Sequence, residues 1–244
     1  MASTEVDSAA AAGSELATPP MRLQILSTEH WSLLASRGLA WNESFTRAGM
    51  FLSTLSFATV ALALVAQATG FSADFRLFAL VILPVVLFLG IGTQLRLDHA
   101  NYHDVLCIIG MNRIRAKYAE MAPDLAGLFV MGQTDDTAGI ARTMGLIPWR
   151  STPLNLIAAT PVVVGVLNGV LFAAIVALGA AQLGVARGYV EIVSVVAFLL
   201  ALAMLAVYSR RVMTAGMARN HPMFPTPATD AYGTGSASVA ATDE

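Results

Sequence analysis

Residues 77–95 read LFALVILPVVLFLGIGTQL, without one charged side chain. A helix rises about 1.5 Å per residue, so this stretch covers roughly 29 Å, close to the hydrocarbon thickness of a bilayer. Inside lipid every backbone N–H and C=O has to be paired within the segment, and a lone segment achieves that only as a helix. Working outward, comparable apolar runs stand at 48–68, 154–181 and 190–208. Asn168 lies near the middle of the third run, and Glu191 lies at the edge of the fourth. The expected fold is all-α: a polytopic membrane protein with four transmembrane helices.

Composition points the same way. The 244 residues are 56% hydrophobic and 12% charged, against about 25% charged in ordinary soluble domains. The net charge is −2 and Lys117 is the single lysine, which argues against nucleic-acid binding through a basic surface. The lipid bilayer is the expected partner. Cys107 is the only cysteine, so no intrachain disulfide framework exists. Residues 1–26 contain Pro19 and Pro20 and no basic residue before Arg22, unlike a secretory signal, and read as a disordered tail. Residues 212–244, with Pro222, Pro225 and Pro227 ahead of a Gly/Ser/Ala/Thr run, read as a second one. The membrane domain is expected at 27–211.

The links between runs are unequal. Short ones surround 70–74 and 182–188, whereas 96–153 form a long connection. Arg22, Arg37 and Arg47 precede the first run. Arg96, Arg113, Arg115, Lys117, Arg142 and Arg150 lie in the long connection, and Arg210, Arg211 and Arg219 follow the fourth run. Only Arg76 and Arg187 fall in the short links. Basic residues are retained on the cytoplasmic side. Both termini and the long connection are therefore expected in the cytoplasm, with the chain in the plasma membrane, the inner membrane of a bacterial cell. Interfacial side chains fit this orientation: Trp149 beside Arg150, Tyr208 beside Arg210 and Arg211, and Tyr189 at the far end.

The cytoplasmic parts should be helical extensions of the spans. Residues 28–47 lack proline, and Trp31, Leu34, Trp41 and Phe45 fall on one helical stripe. Ser27 or Thr28 offers a cap. Residues 95–121 also lack proline, place Tyr102, Leu106, Ile109 and Tyr118 near one face, and end before Pro123. Residues 133–139, with Asp135 and Asp136, read as a turn. Thr152 and Pro153 read as the cap and first residue of the third span.

The run EHWSLLASRGLAWNESFTRAGMFLS, residues 29–53, is similar to uncharacterised four-span integral membrane proteins of high-GC bacteria. The resemblance covers about residues 28–211 and implies the four-span fold but no activity. Thirteen arginines against one lysine fit such a genome.

Three features bear on chemistry. His99, His103 and Cys107 stand at i, i+4 and i+8, with Met111 next in the series. An i, i+4 histidine pair is a metal-ligand geometry, but the outer members diverge around the helix, so one helix supplies two ligands well. The competing reading is a wet face of His and Asp over a packed Cys107; no metal and no cofactor are expected. In the third run Gly165, Gly169, Ala173, Ala177 and Ala181 recur every four residues, with Asn168 nearby. Small residues at that spacing admit a close helix neighbour, in the four-helix bundle or in a second copy. Arg187 and Glu191 form an i, i+4 pair at the far boundary. No phosphate-binding glycine loop and no nucleophile elbow is present. The expected function is thus a non-enzymatic structural or regulatory membrane protein that interacts with other membrane proteins or itself. The alternative is a small channel, transporter or metal-responsive protein.

Overall fold

The structure is a computed structural model and describes residues 18–145 and 160–227. Among these residues the protein is all-α, with four helices long and apolar enough to cross a membrane. We label them α1 (Pro19–Thr69), α2 (Ala73–Met121), α4 (Thr160–Gln182) and α5 (Arg187–Met217); the short α3 is Thr137–Thr143. A 3₁₀ turn covers Pro123–Leu128.

Two helices far exceed a bilayer. At 51 and 49 residues, α1 and α2 run roughly 75 Å each, more than twice the hydrocarbon thickness. Each continues without a break from its apolar stretch into a charged extension, and α2 passes through Pro84 uninterrupted. Ser72 caps α2 by accepting a hydrogen bond from the Phe75 N–H. Gly70 and Gly184 take positive φ in the two short links, where an L side chain would be strained.

Both terminal boundaries need correction. The segment expected as a disordered tail over 1–26 is helical from Pro19, with Thr18 rather than Ser27 or Thr28 at the N-cap position. Pro19 and Pro20 occupy the first turn, where a missing N–H costs nothing because those N–H groups lack intrahelical acceptors. The stretch 212–244 is also ordered in part: α5 runs to Met217, and 221–227 lie against the extensions. The turn expected over 133–139 gives way to α3 at Thr137, capped by Asp136, whose carboxylate accepts from the Gly139 N–H. Trp149, Arg150, the cap at Thr152 and Pro153, and residues 154–159 of the third run lie outside the described residues.

Packing runs in a row. The principal contacts are α1 on α2, α2 on α4 and α4 on α5, with a lighter contact of α5 on α2. The bundle is thus organised around α2 and α4. Its apolar core includes Phe51, Ala79, Leu83, Val86, Val164 and Leu171. A second core lies among the extensions, where Val105, Ile108, Ile109, Met111 and Ile140 meet Leu33, Met213 and Met217.

The small-residue stripe of α4 divides along its length. A methyl built on Gly169 would lie 3.1 Å from Phe198 and 3.3 Å from Leu202, so this glycine admits α5. Gly165 faces Gln94 and Leu205 at ordinary contact distance. Farther along, Ala173 and Ala177 line an open groove with Val195 and Phe198.

Candidate functional site

A column of buried polar side chains stands between α2, α4 and α5. Asn168 is the deepest member, 1% exposed. It lies over Gly90, where an added methyl would overlap Asn168 Oδ1 and press on Phe51. Gln94, one turn along α2 from Gly90, is 2% exposed, and its Oε1 faces Gly165. One further turn brings Asp98, 5% exposed and just beyond the apolar stretch.

The column's hydrogen bonding is incomplete. Ser209 Oγ of α5 donates to Asp98 Oδ2 at 2.8 Å. Gln94 Nε2 lies 3.4 Å from both Asp98 oxygens. Among the described residues, Gln94 Oε1 and both amide atoms of Asn168 have no hydrogen-bond partner. An amide buried in this way carries its full desolvation cost, about 1–3 kcal/mol per group. Burial pushes the Asp98 carboxyl above its ordinary range, against the Ser209 and Gln94 hydrogen bonds.

The other buried carboxylates are better supplied. Asp104 accepts from Arg37 Nε and Nη2 and from Trp41 Nε1 at 3.2 Å. It borders a cleft of about 90 Å³ lined also by Ser44, Phe45, Asn101 and Pro161. Asp135 accepts from Arg113 Nε at 2.7 Å and from the Met223 and Phe224 N–H groups at 2.9 and 2.8 Å. Burial alone would raise this carboxyl, but those three donors outweigh it and hold it below the ordinary range. Asp136 behaves alike, with burial outweighed by bonds from Gly139 and Thr226. Together these carboxylates fasten 221–227 to the extensions, and Lys117 Nζ sits 5.2 Å over the Phe224 ring. At the surface, Arg96 and Arg47 bind Glu43 and hold its carboxyl down to about 2.

The sequence candidates are distributed as follows. His99 and His103 are exposed and Cys107 is buried. Cys107 Sγ lies 3.8 Å from His103 Nδ1, and burial pushes the thiol up. Among the described residues no group of three or more His, Cys, Asp or Glu side chains is placed to hold a metal. The aspartates expected on the same wet face are not on it: Asp98 and Asp104 are buried, each with polar partners on a neighbouring helix. Arg187 Nε and Glu191 pair at 3.4 Å. Tyr189, Arg210 and Arg211 are exposed, and Tyr208 is half-buried. Gly165, Gly169 and Asn168 meet neighbouring helices, whereas Ala173 opens toward the groove. Gln94, Asp98 and Ser209 were missed. The available signal was the i, i+4 pair of polar residues at the end of an apolar run.

Comparison with family models, with curated proteins and with solved structures finds no match for this chain.

Proposed function

We propose that the chain is a non-enzymatic membrane protein of structural or regulatory role that self-associates through α1. The observation that carries this reading is the exposure of large apolar side chains on the extension of α1, outside the apolar stretch that lipid would cover. Trp31 and Leu39 are each 71% exposed and Phe45 57%, with Leu34 and Trp41 also open. The inner face of the same helix is occupied: Leu33 packs on Gly110, His30 stacks on Tyr118, and Arg37 binds Asp104. Lipid accounts for exposed Leu52, Phe57 and Val60 of the apolar stretch, but not for Trp31. Continuity of exposed apolar residues from Met21 to Leu64 on one helix favours a second copy as the occupant. Two copies in one membrane share an orientation, so their α1 helices meet in parallel about a two-fold axis along the membrane normal.

The basic-residue distribution supports a plasma-membrane chain with the extensions and both termini in the cytoplasm. The buried Cys107 makes the test clean, because a new surface thiol would be the accessible one. Trp31→Cys protein in native membranes should form a disulfide-linked species of twice the chain mass on mild oxidation. A product that stays monomeric, while wild-type protein also runs as a monomer by light scattering, would remove the reading.

A further inference from the structure

Among the described residues, Asp98 differs from the other strongly buried carboxylates, Asp104 and Asp135, in having no arginine or lysine at ion-pair distance. Its donors are neutral: the Ser209 hydroxyl and, more distantly, the Gln94 amide. Its charged surroundings are sparse. On α2 the adjacent His99 is the basic side chain that bears on it. The described part of α4 carries no ionisable side chain. On α5, Tyr208, Arg210 and Arg211 flank Ser209 without pairing with Asp98. On α1, Arg37 is engaged by Asp104, and Arg47 by Glu43. A carboxylate held this way is destabilised in its charged form and gains by taking a proton.

The orphan amides supply the second observation. With Asp98 charged, Gln94 turns its Nε2 toward the carboxylate and strands its Oε1 on the side of α4. A protonated Asp98 has an O–H to donate. The Gln94 amide can then turn over, with Oε1 accepting from the carboxyl and Nε2 directed toward α4. On that helix Asn168 stands one turn along from Gly165, the residue that Gln94 Oε1 faces, and its buried Oδ1 has no hydrogen-bond partner among the described residues. One proton taken up by Asp98 thereby gives Gln94 Oε1 a donor and frees Nε2 for Asn168 Oδ1. The Ser209 hydroxyl remains on Oδ2.

We propose that Asp98 is a proton-binding site whose occupancy moves the Gln94 amide from its own helix to Asn168 on α4. This is independent of self-association through α1. It gives the bundle two hydrogen-bonding states, selected by pH.

Infrared difference spectra of the full chain in lipid nanodiscs, recorded across a pH titration, test it. A carbonyl band from a buried protonated carboxyl should grow on the acid side, vanish in Asp98→Asn and persist in Asp104→Asn. In Asn168→Ala the amide bands that accompany it should change, because the acceptor for Gln94 is gone. Ser209→Ala keeps the carboxyl and removes its one short donor, so the band's midpoint should move upward by about one pH unit. That variant also covers the case in which Asp98→Asn does not fold. A band that survives Asp98→Asn, a midpoint unmoved by Ser209→Ala, or a response to Na⁺ at fixed pH instead of to pH would overturn the proposal.

Discussion

The apolar spans and the charged extensions of the same two long helices solve the problem of association differently. In the extensions, buried polar groups are fully used. Asn112 is 0% exposed and binds Thr134, Arg115 and Thr143 together, while Asp104 and Asp135 each hold an arginine. In the spans the helices meet through missing side chains. Gly90 makes room for Asn168 and Phe51, and Gly169 makes room for Phe198 and Leu202. Of the polar side chains buried there, Thr93 bonds back to Leu89 O, whereas among the described residues Gln94 Oε1 and both Asn168 amide atoms have no partner. Water penalises an extension whose carboxylates are left unpaired once buried. Lipid is as apolar as leucine, so it offers no hydrophobic gain for association and rewards close backbone approach instead. The contrast is sharpest at Asp98, which sits where one regime gives way to the other.

The comparison can be broken most decisively at Gly90. Leucine there would collide with the Asn168 amide and the Phe51 ring, both of which are buried. We expect a loss of about 3 kcal/mol or more in reversible unfolding in mixed micelles, at the upper end of overpacking costs. The same substitution at Gly165, with its nearest neighbour at 3.6 Å, should cost much less. Equal losses at both positions would mean that close approach at Gly90 is not what holds α2 to α4.

In the extensions the corresponding lesion is Asp135→Asn. It removes the charge that Arg113 and two backbone N–H groups share, and Arg113 is partly exposed, so about 2 kcal/mol is a reasonable expectation. The pH dependence carries the sign. The folded Asp135 and Asp136 carboxyls are lowered. Their stabilisation is therefore present above the ordinary aspartate value of about 3.9 and is lost as pH falls through the lowered values. Asp98 is raised and works oppositely. Its stabilisation is complete below about 3.9 and is lost as pH rises through the folded value. Stability-against-pH curves should thus show Asp135→Asn flattening the acid-side loss. An unchanged acid limb would place that loss elsewhere.

The smallest effect is expected at Arg187. Its side chain is 94% exposed and that of Glu191 69%, so water and salt screen the pair. Arg187→Ala should leave the unfolding midpoint within a few tenths of a kcal/mol of wild type. A larger loss would show that the far ends of α4 and α5 depend on ionic contacts as the extensions do.

The spans were legible because hydropathy is a local property. Residues 77–95 need no partner to be read as a lipid-crossing helix, since the solvent itself imposes the pairing of every backbone group. The helical extensions over 28–47 and 95–121 were legible for a similar reason, as proline-free stretches joined directly to spans. The prolines misled at both ends. Pro19 and Pro20 look like breakers until one knows that they occupy a helix's first turn, and Pro222, Pro225 and Pro227 do not prevent an extended segment from docking on Asp135 and Asp136.

By itself, then, the sequence determined four apolar helices, the small-residue face of α4 and the helical stripe of Trp31, Leu34, Trp41 and Phe45 on α1. Burial of individual polar side chains was decided only by the tertiary structure. Asp98 and His99 are adjacent in sequence, and nothing local separates them. A helix turns about 100° per residue, and which side of that turn becomes interior depends on where α4 and α5 come to lie. Asp98 therefore meets Ser209, more than a hundred residues away in the chain, while His99 stays in contact with solvent.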